Sequence, residues 1–174
     1  SNPSAIDLFE IENSEDEDYI VDLEMDTQNN RMLVTTDQGF IHSIDLLDTS
    51  WNPDLPAEPS GGEWTNTHIA SNGDLFAFSN SGVFKLNTAG TGWTLEQASS
   101  TTNWPAGTPW KTFEHNGIIY VSILDGGVAR WDTSSMSALA AWSTANNLHS
   151  DFISDFAVAG NQLLISSFDA GIAR

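Results

Sequence analysis

The chain has 174 residues and a mass of 18.9 kDa, enough for one domain with a real core or for a run of small repeats. Its 24 acidic residues against 5 basic ones, a net charge of −19, leave too few cations to meet a phosphate backbone or an anionic membrane surface, which argues against nucleic acid and lipid as partners. The absence of cysteine excludes disulfides, thiolate zinc sites and cysteine nucleophiles, and no apolar run approaches the roughly 20 residues that cross a bilayer.

The first segment, Ala5-Ile6-Asp7-Leu8-Phe9-Glu10-Ile11, sits upstream of the repeats with no inner strands of its own and reads as an outermost strand. The run Glu15-Asp16-Glu17-Asp18 follows, in a stretch where residues 1–50 hold 13 of the 24 carboxylates. It reads as a solvated connector, because it lacks the alternating ligands and the glycine of a calcium loop.

From residue 19 the chain repeats. Each unit opens with an alternating apolar stretch (Tyr19–Met25, Trp64–Ala70, Trp110–His115, Phe152–Val158). A turn follows at Asn29-Asn30, Asn72-Gly73, Asn116-Gly117 and Gly160-Asn161. Asn and Gly tolerate the positive φ of two-residue hairpin loops. A hydrophobic strand and a second turn then end on an aligned glycine. These glycines are Gly39, Gly82, Gly127 and Gly171, spaced by 43, 45 and 44 residues. Asp37, Asn80, Asp125 and Asp169 precede them and read as turn caps. A third strand follows, as in Val83–Asn87 and Val128–Asp132. The first unit carries one extra residue here, Phe40, which predicts a bulge. A looser fourth segment ends near Trp51, Trp93 and Trp142. Ser134–Trp142 is Ala-rich and favours helix by propensity, but the repeat predicts a strand there. Pro53, Pro56, Pro59, Pro105 and Pro109 all fall between units.

Short strands with turn signals at a period of about 40–45 residues predict four-stranded propeller blades. The expected fold is therefore all-β, a β-propeller of four-stranded antiparallel blades with about four blades in this chain. Repeats are expected at 19–62, 63–109, 110–151 and 152–174. Aligning Ile20 with Ile153 sets Phe9 opposite Trp142, so residues 5–11 are expected to supply the last blade's outer strand. A self-closed monomer, a piece of a larger propeller, and a dimer sharing one ring all remain open.

The pieces Ser71-Asn72-Gly73-Asp74-Leu75-Phe76, Asp125-Gly126-Gly127-Val128-Ala129-Arg130-Trp131-Asp132 and Asp169-Ala170-Gly171-Ile172-Ala173-Arg174 resemble the two-component-regulator propeller repeat. Asn146-Asn147-Leu148-His149-Ser150-Asp151 is similar to its inter-blade segment, with Asn147 and His149 in place of the usual Gly and Pro. The resemblance covers most of residues 19–174. It implies a propeller in an extracellular, cell-surface or periplasmic region, often within a longer sensor or surface protein. It implies no catalytic residues.

The residues themselves offer little chemistry. His42, His68, His115 and His149 show no metal-ligand spacing, and no nucleophile elbow or phosphate loop occurs. His68 and His115 fall near the ends of inner strands, so His68 is a candidate for a central channel. Asp22 and Asp155 occupy matching inner-strand positions and are candidates to line that channel. Trp104, between Asn103 and Pro105 in a loop, is the best candidate for a surface contact; the other tryptophans read as packing between blades. The expectation is a non-enzymatic propeller module that binds a protein or carbohydrate ligand, or acts as a spacer, without a cofactor. A lectin-like propeller using loop tryptophans is the first alternative. A calcium-assisted hydrolase or lyase is the second, and calcium is the one cofactor left open.

Overall fold

Turn chemistry divides the chain into hairpins. Asn30 (φ 50°), Gly73 (φ 88°), Asn116 (φ 54°) with Gly117 (φ 74°), and Gly160 (φ 63°) hold the left-handed backbone at the first turn of each unit. The structure, a computed structural model, describes residues 19–101, 103–146 and 148–173. Residues 5–11, expected to complete the last blade, and the acidic run 15–18 lie outside the described residues.

Four antiparallel sheets follow in chain order. Blade one is β1 (Ile20–Asp26), β2 (Arg31–Thr36), β3 (Ile41–Asp45) and β4 (Trp51–Asn52). Blade two is β5 (Trp64–Ile69), β6 (Leu75–Ser79), β7 (Gly82–Leu86) and β8 (Trp93–Ala98). Blade three is β9 (Pro109–His115), β10 (Ile118–Ile123), β11 (Gly127–Asp132) and β12 (Ser137–Trp142). Blade four contains β13 (Ile153–Ala159), β14 (Gln162–Ser167) and β15 (Gly171–Ala173). Strands in each sheet follow sequence order, the up-and-down pattern of a propeller blade. Among the described residues no helix is long and apolar enough to cross a membrane.

The Ala-rich stretch forms β12, with Ala138 paired to Trp131 and Leu139 to Arg130; tertiary pairing overrides helix propensity. The extra residue of the first unit does not make a bulge. Pairing of β2 with β3 is regular from Arg31↔Asp45 to Thr35↔Ile41. Phe40 is absorbed in the turn, where Thr36 N–H donates to its carbonyl at 3.0 Å. Bulges occur instead in all four inner strands, at Val21, Thr65, Trp110 and Ser154, where pairing to the next strand skips one residue.

The aligned glycines have a packing reason. Gly82 (φ 140°) and Gly127 (φ 80°) lie against the fourth strand, and a Cβ there would collide with the Gln97 and Trp142 carbonyl oxygens.

Blades pack face to face through three apolar clusters. Leu33 and Ile41 of blade one meet Trp64, Leu75, Ala77, Phe84 and Trp93 of blade two. Phe76, Phe78 and Val83 of blade two meet Ile119, Val121, Ile123 and Trp131 of blade three. Tyr120 and Val128 of blade three meet Ile153, Phe156 and Ile165 of blade four. The inner strands neighbour one another as β1–β5, β5–β9 and β9–β13, and among the described residues β1 and β13 have no comparable contact. Among the described residues, blades one and four each turn one face to no other described blade, with Leu23 and Met25 exposed on the first and Ile172 on the last.

Candidate functional site

Each inner strand pairs on one side only, so every second N–H on its other edge needs a partner from outside the sheet. In β5 these groups are Thr67 and Ile69, with Ser71 continuing the series past the strand end. Carboxylates from the neighbouring blades meet all three. Thr67 N–H donates to Asp22 Oδ2 at 2.8 Å, and its hydroxyl reaches the same oxygen at 3.3 Å. Ile69 N–H donates to Glu24 Oε1 at 2.9 Å. Ser71 N–H donates to Glu114 Oε2 at 2.6 Å. Asn66 Nδ2 adds a bond to Trp110 O at 3.1 Å. Asp22 and Glu24 come from blade one and Glu114 from blade three, so blade two is strapped on both sides along the inner strands.

His68 sits between these carboxylates. Its Nδ1 is 3.8 Å from Glu24 Oε1 and its Nε2 is 3.5 Å from Glu114 Oε2. Both distances are long for hydrogen bonds, so the contacts are chiefly Coulombic. Burial holds His68 below its usual pKa, against the pull of Glu114 and Asp22. Burial raises Asp22 as well, against the bonds from Thr67. Glu24 is pushed up to about 7 by burial, with Asp22 and Asp26 adding repulsion. The cluster is a crowded set of carboxylates anchored to backbone N–H groups. Among the described residues no group of three His, Asp or Glu is arranged to hold a metal ion.

The same end of the blades carries a surface cleft of about 390 Å³ between the turns of blades one and two. Asn29, Asn87 and Thr88 line it with polar groups and Leu75 and Leu86 with apolar ones. Two charged residues line it and both are paired: Arg31 Nε with Asp26 Oδ2 at 2.8 Å, and Asp74 Oδ2 with Lys85 Nζ at 2.7 Å. Burial alone would raise Asp26, but the bonds from Asn29 and Arg31 outweigh it and lower its pKa.

The four residues singled out from sequence are not brought to one place. Asp22 and His68 lie on adjacent inner strands. Asp155 repeats the position of Asp22 three blades on, is exposed, and accepts Phe156 N–H on Oδ1 at 2.9 Å. The structure corrects the reading of Trp104 as a surface contact. It is 1% exposed and stacks on Phe78 with an interplanar angle of 3°, because the loop folds back into the interface of blades two and three. Trp64 and Trp93 pack between blades and both donate Nε1–H to Pro56 O, while Trp51 and Trp110 are about half exposed. Glu24 and Glu114 were missed. The signal for Glu24 was present in the alternation Asp22, Glu24, Asp26, with every second position of β1 acidic; Glu114, the one acidic residue of β9, carried no such signal.

No family model and no curated protein sequence matches the chain. Its fold is similar to that of several solved structures. Against the extracellular domain of BT3049, a protein assigned to the hybrid two-component systems of B. thetaiotaomicron, the TM-score is 0.71 at 18% identity. That match covers 91% of this chain and 21% of the other. The extracellular domain of BT4673, assigned to the one-component systems of the same organism, gives 0.68 at 14% identity, covering 91% and 24%. Virginiamycin B lyase from Staphylococcus aureus gives 0.62 at 14% identity, covering 90% and 58%. The chain thus spans under a quarter of the two sensor chains and over half of the lyase. The resemblance read from the repeat motifs is borne out as a fold.

Proposed function

We propose that the chain is a non-catalytic propeller module of an extracellular or cell-surface protein, and that it binds a neutral polar ligand on the turn face of blades one and two. The cleft carries this reading. Its lining combines asparagine and threonine side chains with the leucines Leu75 and Leu86, the mixed composition of a small-molecule site. Its one lining cation, Arg31, is already paired with Asp26, and the lining carboxylate Asp74 is held by Lys85, which disfavours an anionic ligand. The extracellular setting is supported by the fold shared with the two sensor domains, the acidic composition and the motif resemblance; shared fold alone leaves the ligand open.

A calcium-assisted lyase reading is less supported. Asp22 and Glu24 are committed to backbone N–H groups of blade two, and Asp155 lies on a separate blade. A lectin-like reading through tryptophan stacking is less supported too, since no tryptophan lines the cleft and Trp104 is buried.

The test is a thermal-shift and NMR titration with a panel of neutral oligosaccharides and uncharged peptides, using the wild type and Thr88→Trp. Thr88 lines the cleft, and the bulky ring fills its mouth. At least one probe should raise the wild-type melting temperature, with binding at least tenfold weaker in Thr88→Trp. Binding by no probe, or equal binding by both proteins, refutes the proposed cleft.

A further inference from the structure

The blade repeat gives every sheet a forward face toward the next blade and a rear face toward the previous one. Forward in blade one are Asp22, Glu24, Leu33, Thr35 and Ile41, the residues that grip blade two. The corresponding forward residues of blade four are Asp155, Ala157, Leu164, Ser166 and Ile172. Three of the gripping positions match, Asp155 for Asp22, Leu164 for Leu33 and Ile172 for Ile41, Ser166 stands for Thr35, and Ala157 stands where Glu24 takes Ile69 N–H. Yet among the described residues no blade lies against this face, and Ile172 is 69% exposed with Phe168 nearby at 65%. Asp155 Oδ1 holds Phe156 N–H, while its Oδ2 makes no bond among the described residues. In Asp22 the Oδ2 atom is the one that takes Thr67 N–H of the next blade.

The other end complements it. The rear face of blade two, which blade one grips, presents Thr67 and Ile69 from its inner strand. The corresponding residues of β1 are Leu23 and Met25, each 52% exposed, beside Val21 at 44%. Large exposed apolar groups thus gather on both of these faces, where monomers ordinarily avoid them. The two ends differ, so one face does not pair with itself; forward pairs with rear.

We propose that the occupant of each end face is a second copy of this chain, the two copies joining head to tail into one ring. Forward-to-rear contacts made twice about a twofold axis close without leaving a free face. Blade four of each copy then grips β1 of the other as blade one grips blade two, with Asp155 aimed at the Leu23 edge. The contact is continuous with an interface already built three times within the chain. Closure of a single copy on itself would seat β1 beside β13, and among the described residues these two strands make no contact comparable to those between the other neighbouring inner strands. With −19 on each copy, association is opposed at low ionic strength and favoured as salt screens the repulsion.

The test is the solution mass by light scattering at about 100 µM, in low salt and in 1 M salt, for the wild type, Leu23→Glu and Ile172→Glu. Both substitutions are at exposed positions, and native tryptophan emission checks folding. The expected mass is twice 18.9 kDa for the wild type, more fully so at high salt, with at least tenfold weaker association in either variant. A wild-type mass of one chain in both salts overturns the proposal, as does a pair that survives both substitutions. The Cys-free background allows a second test. Leu23→Cys combined with Asp155→Cys should give disulfide-linked copies under mild oxidation. A disulfide confined within one chain would show self-closure and overturn it. Neither result bears on the cleft, which is tested separately.

Discussion

Removing the Asp22 carboxylate should loosen blade one from blade two by a calculable amount. Asp22→Ala leaves Thr67 N–H on the free edge of β5 without its acceptor and strips a second bond from the Thr67 hydroxyl. Thr67 is fully buried, so water does not replace the acceptor. An orphaned buried donor costs about 1–3 kcal/mol, and the loss of two bonds at one oxygen places this site at about 2–3 kcal/mol. For a chain of this size that lowers the melting temperature by roughly 5–10 °C. Asp22→Asn separates the bond from the charge. An amide oxygen still accepts from Thr67, and a charge that burial disfavours is gone. The amide nitrogen then faces Leu23 N–H, which Asp22 also accepts, so a residual loss of about 0.5–1 kcal/mol remains. Urea unfolding followed by tryptophan emission measures all three proteins. If Asp22→Ala stayed within about 0.5 kcal/mol of wild type, or if Asp22→Asn lost as much as Asp22→Ala, the strap would be refuted.

Three further outcomes follow from the same geometry. Glu24 holds its proton up to about 7 in the folded chain against an ordinary 4.5, so its contribution is fully present below 4.5 and is lost as pH rises through 7. With about a quarter of its side chain exposed, the discounted size is about 1–2 kcal/mol. Because His68 lies against Glu24, the comparison is made with both proteins carrying His68→Gln: stability with Glu24 relative to Glu24→Gln should fall by that much from pH 4.5 to 7.5, and a flat difference refutes the assignment. Gly82→Ala and Gly127→Ala should each cost about 3 kcal/mol or more by driving a methyl into the fourth strand. Gly171→Ala (φ 81°), with open space around it, should cost only about 1 kcal/mol from its backbone conformation. Equal losses at all three by denaturant titration would contradict that packing. Trp104→Ala should lose about 3–5 kcal/mol as a core truncation and shift the unfolding midpoint, whereas a surface tryptophan would leave it in place.

The blades were legible because their turns obey local rules. Asn30, Gly73, Asn116 and Gly160 stand where the backbone takes positive φ, and that demand is written in single residues. Gly82 and Gly127 recur because the fourth strand crosses them, so the period survives even where side chains vary. Phe40 misled because one extra residue is absorbed in a turn as readily as in a bulge. Trp104 was illegible for a different reason. Its neighbours Asn103 and Pro105 mark a loop correctly, but the ring is buried against Phe78, 26 residues earlier, a contact that local pattern does not encode. The straps were half legible. The alternation Asp22, Glu24, Asp26 is plain in the sequence, yet acidic residues on alternate positions also describe a solvated face. Only the placement of β1 beside the unpaired edge of β5 turns them into acceptors for backbone N–H groups.

The central claim is that inner-strand carboxylates hold the blades together by capping that edge. Amide hydrogen exchange at Thr67 and Ile69, resolved by NMR in wild type, Asp22→Ala and Glu24→Ala, tests it most directly. In the wild type both amides should exchange as slowly as the ladder amides of β6. Asp22→Ala should release Thr67 selectively, and Glu24→Ala should release Ile69. If both amides already exchanged at the rate of exposed loops in the wild type, the carboxylates would not be straps and the account of the inner strands would be wrong.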